Sequence, residues 1–329
     1  MESLDLRVLE DVLAWREAGS RVTLVTVVET WGSAPRPPGA LLAVRDDGRV
    51  SGSVSGGCVE DDLIARIRRG EYDQLQRPSM VAYGVTKDEA ARFGLPCGGT
   101  LRLVQEPVQD TTWIREVLAR TQAHQLVARE LRLSTGEVVL REASRGEAVR
   151  FDGQTLLSFF GPRWRLLLIG AGQLSRAVAQ MAGLLDFEVL VCDPREEYAA
   201  GLDMEGVTRV EGMPDEAVLA LAPDAHTAVV ALTHDPKLDD MALMEALNSG
   251  AFYVGALGSR RNQTARKQRL AEHFGMSETA LARLHGPVGL AIGAKTPAEI
   301  AVSIVAQIVQ ERNAGLGVTA HTETSCQLA

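Results

Sequence analysis

Residues 164–193 constrain the fold of this chain more than any other stretch. Residues 164–169 are apolar at every position but Arg165, and Gly170-Ala171-Gly172-Gln173-Leu174-Ser175 follows directly. A helical run at 177–185 and a second strand at 188–192 come next, and Asp193 stands 21 residues after Gly172. Strand, glycine turn, helix, strand and acid in that order describe a βαβ unit that holds phosphate at a helix start. Gly170 suits the tight turn, Gly172 lets the backbone approach a phosphate, and Asp193 is placed for a ribose hydroxyl. Ser175 stands where the full fingerprint has a third glycine, which predicts slightly looser helix–strand contact. The expected fold is α/β: a Rossmann-like doubly wound parallel sheet over residues 163–313. Binding of NAD does not follow, because the same fold hosts other phosphate-bearing ligands.

Further strands are expected at 207–210, 227–232 and 252–256. The loops after the last two, Thr233-His234-Asp235 and Leu257-Gly258-Ser259-Arg260-Arg261, fall on the carboxyl edge of the sheet, where such folds bind ligands. His234 and Asp235 read as helix capping in preference to metal binding, since no third ligand has suitable spacing. Ser259, Arg260 and Arg261 suit a phosphate, or else a basic helix start on the surface. Thr296-Pro297-Ala298-Glu299 is a capping box with proline at the first helical position. Ile300, Ile304 and Ile308 give the helix after it a buried face. Gly286, Gly289 and Gly293 imply backbone packed against a neighbour. Residues 314–329, with Cys326, are expected to be a flexible tail.

Residues 1–160 read as a separate α+β domain. An amphipathic helix at 4–18, with Leu4, Val8, Val12 and Trp15 at helical spacing, precedes a β-branched strand at 21–28. The loop that follows holds three prolines and one cation, Arg36. Arg36 is either solvated or a preset guanidinium for a phosphate. Segments 41–44 and 50–54 form a hairpin around Asp46-Asp47-Gly48. Ser55-Gly56-Gly57-Cys58 then turns into a helix. After a strand at 80–85, Pro96-Cys97-Gly98-Gly99 turns into a strand at 100–105. Paired glycines let successive N–H groups converge on an anion, and a cysteine that opens a helix is disposed to be a thiolate. Each turn alone also reads as a tight turn of small buried residues. Two such turns, in a chain with four cysteines, point to a shared site for an anionic, sulfur-seeking ligand. A helix at 113–120, then strands flanking Ser134-Thr135-Gly136-Glu137, extend the first sheet or bridge to the second domain.

The formal net charge of −9 argues against a nucleic-acid surface. No apolar run reaches the roughly 18 residues of a membrane helix, and the acidic N-terminus lacks the segments of a signal peptide. Cysteines 58, 97, 192 and 326 show neither zinc-type spacing nor disulfide density. Cytoplasm is the expected location.

Six short stretches, in one order, resemble the XdhC/CoxI family, the accessory proteins of xanthine dehydrogenase and related molybdenum hydroxylases. They are Gly32-Ser33-Ala34-Pro35-Arg36, residues 52–60, residues 94–99, residues 170–172 with Asp193-Pro194-Arg195, residues 255–261 and residues 286–304. The departures are Gln173 and Ser175, where histidine and glycine are common. The resemblance implies a non-catalytic protein that binds molybdenum cofactor, protects it, assists its sulfuration with a cysteine desulfurase and inserts it into the apo-hydroxylase. It also implies a homodimer. Molybdenum cofactor is a phosphate-bearing pterin dithiolene, and thiolate is the soft ligand for its metal. The candidate cofactor-binding residues are then Arg36, Ser55, Gly56, Gly57, Cys58, Cys97, Gly98, Gly99, Gly170, Gly172, Asp193, Ser259 and Arg260. Cys58 and Cys97 are the candidate metal ligands, with Cys58 preferred because it alone opens a helix. A nucleotide in the Rossmann half stays open. The competing readings are an NAD(P)-dependent oxidoreductase with His234 or His285 as proton relay, and a redox sensor that pairs Cys58 with Cys97.

Overall fold

The computed structural model describes residues 3–30, 36–72, 75–84, 100–144, 147–199, 201 and 203–315. The chain divides into two compact units, Met1–Pro162 and Arg163–Ala329.

In the first unit, helix α1 (Ser3–Glu17) leads into β1 (Val22–Thr30). β2 (Leu41–Arg45), β3 (Val50–Gly52), β4 (Ser79–Tyr83) and β5 (Leu101–Pro107) complete an antiparallel sheet in the order β3-β2-β1-β5-β4. Both faces of this sheet are covered, so β1 is a run of β-branched residues and not an alternation of apolar with polar. Helix α2 (Cys58–Arg68) lays Val59, Leu63 and Ile67 on the face built by Val25, Val27, Leu42 and Val44. Helices α1 and α3 (Thr112–Gln122) cover the other face, with Val8, Val12, Ile114 and Val117 against Leu24, Leu41 and Ala43.

The strands after α3 differ from the expectation. β6 (Val127–Arg132), β7 (Val138–Glu142), β8 (Arg150–Phe151) and β9 (Thr155–Phe160) form their own antiparallel sheet, in the order β7-β6-β9-β8. They do not extend the first sheet, and all four belong to the first unit. The edges of the first sheet are β3 and β4, and β6 to β9 pair only among themselves. The two sheets pack through Val28 and Val104 against Leu131 and Leu156, and a buried ion pair also crosses between them: Arg129 of β6 donates to Glu106 of β5 at 2.6 Å and lies 3.9 Å over the Trp113 ring. Charges this deep need such a partner.

The second unit is a six-stranded parallel sheet. Its strands are β10 (Arg165–Ile169), β11 (Glu188–Cys192), β12 (Val207–Val210), β13 (Thr227–Ala231), β14 (Tyr253–Ala256) and the two-residue β15 (Leu284–His285). The order β12-β11-β10-β13-β14-β15 is the doubly wound 3-2-1-4-5-6 arrangement, with its switch point between β10 and β13. Helices α4 (Gln173–Leu184) and α10 (Pro297–Gly315) bury one face, through Val178, Ala182, Ile304 and Ile308. Between them in sequence lies the short α5 (Glu196–Ala199). α6 (Pro214–Leu221), α7 (Pro236–Asn248), α8 (Arg260–Phe274) and the short α9 (Glu278–Ala282) follow, and Val218, Leu243, Leu247 and Leu270 bury the other face. α10 runs two residues into the segment expected as a tail; residues 316–329, Cys326 among them, lie outside the described residues. No helix among the described residues is long and apolar enough to cross a membrane.

Candidate functional site

The turn before α2 is built as the glycines suggest, but its anion is already present. Gly56 and Gly57 have φ of 93° and 153°, in the region that favours glycine. The N–H groups of Val54, Ser55 and Gly56 donate to Glu60 Oε1 at 2.8–3.1 Å, and that of Gly57 donates to Glu60 Oε2 at 2.8 Å. The hydroxyls of Ser53 and Ser55 complete the set, one on each oxygen. Glu60 is 8% exposed. Burial alone pushes its carboxyl up, but the bonds from the Ser55 hydroxyl and the backbone outweigh that and hold it at about 2. The N–H groups of Gly56 and Gly57, expected as donors to a ligand, each have an acceptor within the chain here, as does that of Ser55. Glu60 takes them, and the spacing that predicts it is the acid three residues after the helix cap.

Cys58 is the first residue of α2. Arg36 is half-buried. Cys97, Gly98 and Gly99, the second of the paired turns, lie outside the described residues. Among the described residues no group of three or more His, Cys, Asp or Glu side chains is arranged to hold a metal ion. Cys192 is buried at the end of β11, and burial first, then Asp193, pushes its thiol up to about 11. A thiol so placed is inert. A cavity of about 420 Å³ in the first unit is lined by Glu106, Asp110, Trp113 and Glu137, and none of the sequence-predicted site residues is in its lining.

At the carboxyl edge of the parallel sheet, the two glycines of the fingerprint divide their work. A Cβ on Gly170 (φ 108°) would stand 3.1–3.2 Å from Thr233, so the loop after β13 demands this glycine. A Cβ on Gly172 would meet nothing within 4 Å, and no side chain caps α4 there. That leaves the helix start open to an approaching group. Asp193 is turned inward. Its Oδ2 accepts from Ala171 N–H and Arg195 Nη2, at 2.9 and 2.8 Å; its Oδ1 accepts from Arg195 N–H and Nε, at 3.1 and 2.9 Å. Burial opposes the charge, but these bonds, led by the Arg195 fork, hold the carboxyl below its ordinary range. A carboxylate has about four acceptor positions, and all four are used. The Arg195 guanidinium lies 4.1 Å over the Tyr198 ring.

The family models for the XdhC and CoxI family and for the XdhC Rossmann domain match residues 15–84 and 166–308. Together they cover more than half of the chain, one in each unit. The chain belongs to the XdhC and CoxI family. Two relatives match it along nearly their whole length. A Bacillus subtilis protein named as a probable xanthine dehydrogenase subunit is 28% identical, over 90% of this chain and 94% of its own. An Escherichia coli protein named as the molybdenum cofactor insertion chaperone PaoD is also 28% identical, over 90% of this chain and 85% of its own. In fold, the chain is similar to a crystal structure from Bacillus halodurans described as a xanthine dehydrogenase. That match has a TM-score of 0.75 at 24% identity and covers 99% of this chain and 98% of the other.

Within this XdhC Rossmann domain, two of the remaining predicted residues, Ser259 and Asp235, have a visible part in the scaffold. Ser259 caps α8 by accepting from Asn262 N–H at 3.2 Å, and Asp235 caps α7 by accepting from Lys237 N–H at 2.9 Å. Arg260 and Arg261 are exposed at the start of α8, and His234 is exposed with φ of 63°. Ser175 is 1% exposed with its hydroxyl unpartnered. Gly286 and Gly289 are packed as expected: a Cβ there would meet Gln263 at 2.4 Å and the Ser303 hydroxyl at 2.3 Å. Gly293 has nothing within 4 Å, so its glycine answers to φ of 77° alone. Sequence reasoning missed the buried network beneath these loops. Arg266 donates to Asp239, Asp240 and the Leu257 carbonyl, and Asp239 accepts from the Thr233 N–H and hydroxyl. The partners lie up to 27 residues apart, and no short motif announces such pairings.

Proposed function

We propose that this protein is a non-catalytic carrier of molybdenum cofactor. It binds and protects the cofactor, assists its sulfuration by a cysteine desulfurase, and inserts it into xanthine dehydrogenase or a related molybdenum hydroxylase. The observation that carries the reading is the match over nearly the whole chain to a relative named for molybdenum cofactor insertion. A relative named for xanthine dehydrogenase supports the hydroxylase as partner.

Cys58, at the first position of a helix, is the proposed sulfur ligand to the metal. Cys97, with Gly98 and Gly99 beside it, is the second candidate. Arg36, in the same unit as Cys58, is proposed for the phosphate end of the cofactor, because Glu60 takes the N–H groups of residues 55–57; the uncapped start of α4 at Gly172 is a separate candidate for a phosphate. The protein acts as a homodimer. The oxidoreductase alternative is disfavoured because it asks Asp193 to hold a ribose hydroxyl with acceptor positions that Arg195 and Ala171 fill.

Equilibrium dialysis of the purified full chain against molybdenum cofactor under argon tests the reading. Wild type binds at micromolar affinity or tighter, and Cys58→Ala loses at least about tenfold, or 1.4 kcal/mol. Failure of the wild type to retain cofactor overturns the carrier reading; equal retention by Cys58→Ala removes only Cys58 from the site.

A further inference from the structure

The segment 53–57 and the start of α2 are held together by one side chain. Four consecutive N–H groups and two hydroxyls converge on Glu60, which fills the acceptor capacity of a carboxylate and leaves the N–H groups of 54–57 engaged. The positive φ of Gly56 and Gly57 is what turns those groups inward, and the next residue is Cys58. Glutamate at the third helical position has the length to curl back over the helix start, whereas aspartate is one methylene short.

We infer that Glu60 is a positioning residue: it fixes the loop that delivers Cys58 to the head of α2. The loop is then closed to the ligand's phosphate. The inference rests on the reading of Cys58 as the cofactor's sulfur ligand, and its main test is run without cofactor so that the two can fail separately.

The test compares the full chain as wild type, Glu60→Gln, Glu60→Asp and Glu60→Ala, with circular dichroism confirming the fold of each. Amide hydrogen exchange at residues 54–57 and the rate of Cys58 labelling by iodoacetamide at one fixed pH are read by mass spectrometry. Glu60→Gln should speed exchange at 54–57 about tenfold, because its amide turns donors towards donors. It should also speed Cys58 labelling several-fold and weaken cofactor retention several-fold. Added formate should restore protection in Glu60→Ala by taking the vacated place. Inorganic phosphate should leave the wild-type loop unchanged.

Unchanged exchange in Glu60→Gln overturns the inference. So does faster exchange with unchanged Cys58 labelling, since the loop would then not be serving the thiol. Protection of the wild-type loop by phosphate overturns its closure. If Glu60→Gln does not fold, Glu60→Asp decides the same questions with the charge kept and the reach shortened. Full retention of cofactor by Cys58→Ala counts against the sulfur-ligand reading, while exchange and labelling still decide Glu60.

Discussion

Two glycine turns in this molecule look alike in sequence and differ in what occupies them. Both follow a strand, both open a helix, and both have an acid close by in the chain or at the end of the next strand. In both, that acid folds back onto the turn. At 53–60 the Glu60 carboxylate takes every N–H from Val54 to Gly57, so the turn is complete without a ligand. At 170–175 the Asp193 carboxylate takes the N–H of Ala171 and then turns to Arg195. The start of α4 is left with no side-chain cap and with open space at Gly172. A turn that can bind an anion is thus not yet a ligand site; what matters is whether the chain supplies the anion itself.

The largest expected effect comes from removing the internal anion of the first turn. The Glu60 carboxyl is held at about 2, against an ordinary 4.5. At about 1.4 kcal/mol per unit, ionised Glu60 contributes on the order of 3 kcal/mol. A lowered pKa stabilises the folded state above the unfolded value, and the contribution fades as pH falls through the folded one. Glu60→Gln should therefore melt well below wild type at pH 7. The gap should narrow from about pH 4.5 downward and nearly close by about pH 2, where the folded carboxyl has taken up half its proton and the unfolded one nearly all of it. Urea titrations of the two proteins across that range measure it. A gap independent of pH would mean that shape, and not charge, is what Glu60 supplies.

A smaller effect, about 2 kcal/mol, is expected from Asp193→Ala. It leaves Arg195 and the Ala171 N–H without their partner, and Arg195 is still a quarter exposed, so water softens the loss. Removing Arg195 as well should recover part of the stability, because the orphaned charge goes with it. Additive losses in the double variant would show that Asp193 and Arg195 act apart, and would reopen Asp193 to a ligand hydroxyl. A melting series on the two single variants and the double variant decides this.

The same comparison shows which parts of the fold were legible in the sequence. Apolar runs and glycine turns were enough to place five of the six strands of the parallel sheet, all but the two-residue β15, and the helix that opens at Cys58. The capping boxes were legible too: Thr296 with Glu299 forms as its spacing predicts. The acid at the same spacing from Gly57, Glu60, carried that signal but competed with a more attractive reading of the glycines. Pairings across the fold were not legible. Arg129 with Glu106 and Arg266 with Asp239 are chosen by how sheets and helices stack, and neither partner's local sequence names the other. The separate sheet of β6 to β9 was missed for the same reason, since periodicity gives strands but not their neighbours.

The smallest effects separate the two glycines of the second turn. Gly170→Ala forces an alanine to φ of 108° and sets its Cβ 3.1–3.2 Å from Thr233, so a loss of about 1–2 kcal/mol is expected. Gly172 has φ of −73° and open space around its Cβ position, and Gly172→Ala should cost only about half a kcal/mol, the difference between two weak caps. That near-neutrality makes it the cleaner probe. A methyl at 172 points into the space by which a phosphate would reach the N–H groups of α4, so a bound phosphate there has to move away. If the second turn is a ligand site, Gly172→Ala should melt close to wild type and yet retain molybdenum cofactor about tenfold more weakly in equilibrium dialysis. Retention equal to wild type in that stable variant would make both glycine turns parts of the scaffold. The phosphate would then fall to Arg36, and the contrast between a filled turn and an open one would be a matter of packing alone.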